Sequence, residues 1–574
     1  MNKPSTVPAP QPPPSDTPSA TSRRAPRSAS LRDVTTRRHA DASLGAATLI
    51  PSHNSSHTLS SIQQDDYELS PRGGRAGGAG SGDAFHKELA FEGPGMPVPV
   101  TVPTQPDQPW YRTLLRFIGP GTMIAVGYMD PGNWATDLTG GSKYYYNLLF
   151  AILFSNIVAM LLQSLAVKLG LVTGRDLAQL CRDQFHPVVS AFLYVTAECA
   201  IIATDLAEVI GAAIAMNLLF KLPLAWGVAI TALDVLIILL GFGPKYLRWF
   251  EYGIMALIGT IGVLFIALLA KVDPIWGDVF LGYIPRKEIF ADGGQLFIFM
   301  GIVGATVMPH NLYLHTHLIQ YRYSSLMPPS LQPVGTIQPV PETEVKSTEP
   351  IMRHHKKLLP MTLKYTVIDC LLSLAFALFV NSAILIVAAA SFYRTGNTEV
   401  ASIEDAYNLL GTLLSPAFSV IFGVALLCSG QSSTITGTIA GQVVMSGFLG
   451  PRFKLKPWQR RLVSRSLAII PAMIVALVKG GEGLNELLVI SQVVLSCQLP
   501  FAMWPLVYFT SKKTLMTLSF QEDPYKPGVA DKVSYANHPI TAFFAFFFAT
   551  VITGLNIVML TSLAKPDLIG GAEE

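Results

Sequence analysis

From Trp110 onward the chain alternates between apolar stretches, each about 20 residues long and so able to cross a bilayer as a helix, and short polar connections. Eleven such stretches are read, at approximately 114–138, 145–169, 188–216, 222–242, 249–271, 294–320, 362–390, 412–436, 459–479, 484–510 and 538–562. Two are interrupted. The segment 125–134, AVGYMDPGNW, places a Pro-Gly pair between Asp130 and Asn133, and the segment 302–316, IVGATVMPHNLYLHT, places Pro309 inside the sixth stretch. Both interruptions read X-Pro-X-Asn: Asp130-Pro131-Gly132-Asn133 in the first and Met308-Pro309-His310-Asn311 in the second.

Proline removes an N–H donor and clashes with the preceding turn, so each helix is expected to open there. Carbonyls near the bilayer midplane are then left without partners of their own, which suits cation binding. Two interrupted spans at matching places in two halves of a chain point to a transporter built from inverted repeats, with its site where the breaks meet. The expected architecture is an all-α polytopic membrane protein. Ten spans divide five plus five, each half opening with its broken helix, and the eleventh is an addition. The corresponding divisions are a tail at 1–108, a first repeat at 109–271 and a second at 272–510. A linker, the eleventh helix and a short tail occupy 511–574.

Composition agrees with a membrane class, since half of the residues are hydrophobic and only 14% are charged. Cys181, Cys199, Cys370, Cys428 and Cys497 all fall in or beside apolar spans without a CxxC pair, which predicts neither a disulfide framework nor a thiolate metal cage. Residues 1–108 are rich in Pro, Ser, Thr, Gly and Arg, with no apolar period and no core of a secretory signal, and read as a disordered tail. Their basic stretch 22–39 is read as solvated, with a phosphorylated trafficking segment or an anionic membrane surface as alternatives.

Basic residues accumulate on cytoplasmic loops, and their placement here is lopsided. Arg112, Arg116, Lys168, Arg175, Arg182, Lys245, Arg248, Lys356, Lys357, Arg452, Lys454 and Lys456 all fall on one side of an eleven-span chain, against scattered residues such as Lys143, Lys221 and Arg394 on the other. This predicts a cytoplasmic N-terminus and a non-cytoplasmic C-terminus. The Pro- and Ser-rich connection 323–355 becomes a flexible cytoplasmic loop between the halves.

An ionisable residue inside a span costs about 2.5–3.5 kcal/mol even on insertion-based scales, so each is a functional candidate. Glu198, Asp205 and Glu208 of the third span are spaced by seven and three, within an arc of about 80° on one helical face. Such a face must avoid lipid; the alternative to function is a set of hydrogen bonds between helices, the preferred reading for Glu198. Asp234 and Asp369, single acids in the fourth and seventh spans, read as packing partners, and Asn381 is left open.

At the breaks, a carboxylate (Asp130), an amide oxygen (Asn133) and freed carbonyls suit a divalent cation, and the thioether of Met308 adds a soft ligand that favours late first-row metals over Ca²⁺ and Mg²⁺. The mixture suggests Mn²⁺ or Fe²⁺. A core gap-filler is the alternative for Met308. His310, His315 and His317 match no standard zinc spacing; His315 suits a proton-linked role and His310 packing.

With those residues in view, the sequence resembles the Nramp family of proton-coupled divalent metal transporters. The likeness covers about 110–562 and rests on DPGNWATDLTGGSKY at 130–144, ATDLAEVIGAA at 203–213, MPHNLYLHT at 308–316, GQSSTITGTIAGQVVM at 430–445 and SQVVLSCQLPFA at 491–502. The resemblance implies an eleven-helix, LeuT-like fold working by alternating access, with metal on Asp130, Asn133 and Met308. It further implies ligand carbonyls from Gly127 and Ala305, and Gln492 joining when the site is occluded. Family members usually carry Ala where this chain has Gly127. The implied proton route comprises His315, Asp205 and Glu208 and continues to arginines of the ninth span, among Arg460, Arg461 and Arg465.

The partners expected are divalent metal ions, protons and the lipid bilayer of a plasma, endosomal or vacuolar membrane. No cofactor, nucleic acid or obligate protein partner is expected. A sodium-coupled amino-acid carrier would not call for Asp130 and Met308 beside the breaks, and a magnesium-type relative would replace the thioether. An Nramp-like sensor or signalling protein that does not transport is the alternative from another class. An enzyme is not expected, because no nucleophile–base or paired-carboxylate motif appears.

Overall fold

The computed structural model describes residues 109–231, 256, 259–260, 262–323, 348–395, 402–413, 415–450, 457–521 and 530–564. The expectations for the 1–108 tail, for Asp234 and for residues 324–347 of the central loop lie outside the described residues.

The first apolar stretch is built as separate pieces. Helix α1 (Trp110–Phe117) leads into α2 (Pro120–Gly127), and after a break at 128–130 the chain resumes as α3 (Pro131–Tyr144). Next come α4 (Leu149–Thr173), α5 (Leu177–Gln184) and α6 (Pro187–Phe220). Gly174 closes α4 in the left-handed region, φ 63°, where glycine carries no Cβ penalty. Asp176 opens α5 through a capping box with Gln179. The described part of the fifth stretch is α7 (Gly262–Val272). Two short helices, α8 (Trp276–Gly282) and α9 (Glu288–Ala291), precede the sixth stretch, which is again divided: α10 (Gly293–Thr306), a break at 307–308, and α11 (Pro309–Arg322).

The second half continues with α12 (Thr348–Ser391), α13 (Ile403–Leu413), α14 (Pro416–Leu449), α15 (Pro457–Val478), α16 (Gly480–Ser511) and α17 (Pro539–Ala564). Helix α12 begins inside the stretch expected to be loop, and α14 runs past the expected end of its span at 436 to Leu449. Between α16 and α17 lies an antiparallel hairpin, β1 (Thr517–Gln521) on β2 (Ala530–Ser534), with Thr517 opposite Ser534 and Gln521 opposite Ala530.

Among the described residues, seven spans are long and apolar enough to cross a membrane: Leu149–Thr173, Pro187–Phe220, Gly293–Gln320, Leu358–Ser391, Pro416–Leu449, Gly480–Ser511 and Pro539–Ala564. They coincide with seven of the eleven expected stretches. The first stretch is split into pieces too short to qualify, the ninth contributes the shorter apolar run Arg465–Val478, and the fourth and fifth are described only in part. The two broken stretches are held inside this frame. Helix α3 packs on α10 and α12, α10 packs on α16, and α11 packs on α4 and α14. Trp134, just past the first break, is buried between Phe422, with ring centroids 4.8 Å apart, and Phe265, at 6.0 Å.

Candidate cation site

Both breaks follow from the same missing donor. A helical carbonyl bonds to the N–H four residues on, and for Gly127 and Ala305 that residue is Pro131 and Pro309 respectively. Each carbonyl thus loses its helical partner. Asp130 caps α3 instead of continuing the helix: its Oδ1 accepts from the Asn133 backbone N–H at 2.9 Å and from the Asn133 side-chain amide at 2.6 Å.

The two breaks face each other. The Asn133 amide also donates to the Ala305 carbonyl at 3.0 Å, and Thr306 Oγ1 donates to Asn133 Oδ1 at 3.4 Å. On the second break the Asn311 amide donates to the Met308 sulfur at 3.6 Å, and the same amide lies against Gly127, where an added Cβ would come within 2.8 Å of it. Gln492 approaches from α16, and a Cβ on Gly132 would overlap its side-chain amide. Of the six residues expected to hold the metal, Asn133 and Ala305 bond across the breaks, Asp130 joins Asn133 within the first break, Gly127 lies against Asn311, which bonds Met308, and Gln492 lies against Gly132.

The cluster is buried, and its polar oxygens are only partly satisfied. Asp130 is fully buried and Asn133 and Met308 are 1% exposed. Among the described residues Asp130 Oδ2, Asn381 Oδ1 and Gln492 Oε1 have no hydrogen-bond partner, and no Lys, Arg or His pairs with Asp130. A buried carboxylate without a counter-charge is costly, and acceptor oxygens without donors call for a positive ligand. No three His, Cys, Asp or Glu residues converge among the described residues, so the donors present are carboxylate, amide, carbonyl and thioether.

A second polar cluster sits on α6. Arg465 Nη1 of α15 lies 3.3 Å from Glu208 Oε2 and 3.6 Å from Asp205 Oδ1, all three side chains being buried. The guanidinium also donates to Thr434 Oγ1 at 3.4 Å. Of the three ninth-span arginines, Arg465 is the one described at this place, and the side chains of Arg460 and Arg461 lie outside the described residues. Glu198 is half-buried.

The histidines face different partners. His310, read as packing, places Nδ1 3.3 Å from Thr204 Oγ1, beside Asp205. His315 Nδ1 instead lies 2.7 Å from Gln163 Oε1, and Gln163 donates to the Tyr128 hydroxyl at 3.0 Å, which leads back to the first break. His317 pairs with Asp176 at 3.3 Å. The physical reason is helical direction: residues 310 and 315 are 500° apart on a 3.6-residue period, about 140° after one full turn, so they face different neighbours.

Sequence reasoning left other members of this cluster unassigned. Asn381 donates to the Tyr128 carbonyl at 3.1 Å and to Asn133 Oδ1 at 3.4 Å, and Ser429 donates to the Met129 carbonyl at 2.8 Å, so α12 and α14 hold the unwound segment. The only signal for Asn381 was a polar residue in an apolar span. Asp369, read as a packing partner, accepts from the Gly121 N–H at 2.8 Å and so caps α2.

A divalent metal cation transporter MntH of Nostoc sp. is 51% identical over 408 residues, which cover 71% of this chain and 85% of that protein. The MntH of Agrobacterium fabrum is 48% identical over 417 residues, 72% of this chain and 83% of its own length. Among solved structures, the Eremococcus coleocola manganese transporter in complex with an aromatic bis-isothiourea compound aligns over 85% of this chain and 93% of its own, with TM-score 0.64 and 32% identity. The family described as natural resistance-associated macrophage protein-like, Nramp, matches residues 121–562, a stretch that begins in α2 and takes in both breaks, the α6 cluster and most of α17. The chain belongs to the Nramp family.

Proposed function

We propose that this chain is a secondary transporter that moves divalent transition-metal ions, Mn²⁺ or Fe²⁺, across a membrane by alternating access coupled to protons. The observation that carries this reading is the meeting of two proline-opened helices around a buried carboxylate with one unpartnered oxygen. Asp130, Asn133, Met308 and the carbonyls of Gly127 and Ala305 hold the ion, and Gln492 joins on occlusion. The relatives named as divalent metal cation and manganese transporters support the same cargo. The finer architecture proposed is eleven helices in a LeuT-like five-plus-five inverted repeat, with the N-terminus cytoplasmic and the C-terminus non-cytoplasmic. Either a plasma membrane or an endosomal or vacuolar one fits.

The proton travels by a path of its own, because a divalent ion beside Asp130 lowers the proton affinity of groups near it. Asp205 and Glu208 with Arg465 form that path, approached from the second break by His310, while the Tyr128–Gln163–His315 chain is a separate polar line leading from the first break. No cofactor, nucleic acid or obligate protein partner enters the reading. Met308 favours it over a magnesium-type carrier, since a thioether adds nothing for a hard cation. The test is uptake by proteoliposomes of Mn²⁺, Fe²⁺, Cd²⁺, Mg²⁺ and Ca²⁺ with internal pH recorded. Mn²⁺ uptake with acidification is expected; binding without uptake would instead make the chain a sensor.

A further inference from the structure

Asp137 stands in the middle of α3 and takes no part in the site described above. It is 1% exposed, its Oδ2 is buried, and among the described residues no hydrogen bond or ion pair reaches either oxygen. The usual structural reasons for a buried acid do not apply. The cap of α3 is Asp130, so Asp137 lies past the orphan N–H groups of the first turn, and the one basic residue of α3, Lys143, is exposed. A carboxylate held this way lacks what normally repays its desolvation.

Its position is informative. Asp137 follows Asn133 by four residues and Asp130 by seven, so the three share one stripe of the helix, with Asp137 about 6 Å beyond Asn133 and about 10 Å beyond Asp130 along the axis. At the level of Asn133 this stripe touches Ala305 of α10 and Asn381 of α12. At the level of Gly140 it meets Ile302 of α10 and Leu385 of α12, and Gly141 packs directly on the Leu385 carbonyl. Asp137 lies between these two levels. Going up the stripe from the break, the unpartnered oxygens are Asp130 Oδ2, Asn381 Oδ1 and Asp137 Oδ2, and the close packing at Gly140 and Gly141 stands beyond them.

We propose that Asp137 is a second cation-binding carboxylate, a waiting position for the divalent ion on the far side of the first break from α2. The proposal rests on the reading of the break as a cation site. Its donors are oxygens only, without a counterpart of Met308, so it holds hard ions such as Ca²⁺ and Mg²⁺ as readily as Mn²⁺ and leaves selection to the break.

Mn²⁺ binding to purified protein in detergent, followed by electron paramagnetic resonance, tests this directly. Asp130→Asn protein is expected to retain one weak Mn²⁺ site that Mg²⁺ displaces, and Asp130→Asn/Asp137→Asn protein to lose it. Asp137→Glu, which keeps the charge, should preserve the site and controls for a folding defect. In proteoliposomes Asp137→Asn alone should raise KM for Mn²⁺ about tenfold, a change of about 1.4 kcal/mol in apparent affinity. Residual Mn²⁺ binding that is the same with and without Asp137, in monodisperse protein, would overturn the proposal. Failure of the transport reading shows elsewhere, as absence of uptake by the unaltered protein, and the binding titration decides Asp137 in either case.

Discussion

The break at Asp130 and the cluster at Asp205 and Glu208 both bury carboxylates inside the helical frame, but they deal with the charge in opposite ways. On α6 the countercharge is built in: Arg465 reaches both acids, and Thr434 accepts from its guanidinium. At the break no cation is built in among the described residues, and the Asp130 oxygen facing away from its own cap has no partner among them. A buried pair with its own cation is a fixture, whereas under the proposed function a buried acceptor set without one is a place for a visitor. Removing charge from the two places should therefore have different consequences: loss of stability at the first, loss of binding at the second.

The largest effect is expected from the fixture. Arg465→Gln leaves two buried carboxylates without their shared cation and should destabilise the protein by about 3–5 kcal/mol, read as a lowered melting temperature in detergent. Partial restoration by adding Glu208→Gln would sharpen the contrast, and an unchanged melting temperature would erase it. Asp130→Asn should do the reverse, leaving the melting temperature near that of the parent while weakening Mn²⁺ binding roughly hundredfold, about 3 kcal/mol. Near-normal Mn²⁺ transport by this variant would place the site elsewhere.

A smaller effect separates the ligands of the visitor from one another. Met308→Ala removes the soft donor, so the preference for Cd²⁺ over Ca²⁺ should fall roughly tenfold, or about 1.4 kcal/mol, while Mn²⁺ transport falls less. An unchanged preference would mean that the sulfur does not touch the ion. Smallest of all, His315→Ala should lower metal-driven acidification relative to metal flux by roughly fivefold, the low end of coupling free energies. A metal-to-proton ratio that stays constant would reduce the Tyr128–Gln163–His315 chain to packing.

How much of this was legible beforehand depends on the reach of the signal. Pro131 and Pro309 act on their own helices, so both breaks could be read locally, as could the shared face of Asp205 and Glu208. Polar residues in apolar spans were visible too, but their partners were not. The Asn381 bond to the Tyr128 carbonyl and the Asp369 bond to the Gly121 N–H each join positions about 250 residues apart, and no periodicity encodes such a pairing. His310 and His315 show the same gap, since helical spacing states that they point apart but not what stands opposite each. The β1–β2 hairpin fell in a segment read as linker, its ten strand residues being too few and too polar to announce a sheet.

The short length of α2 has a mechanical meaning. An eight-residue helix has too few internal hydrogen bonds to persist on its own, so where α2 lies is decided by what grips its two ends. At its start are the Asp369 cap and the Arg322 guanidinium, which donates to the Ile118 carbonyl at 3.1 Å; at its finish is the unwound 128–130 segment, held by Asn381 and Ser429. Helices of 34 residues such as α6 and α14 carry their own stiffness. The molecule thus sets a compliant lever against a rigid beam, and one end of that lever is the Gly127 carbonyl itself.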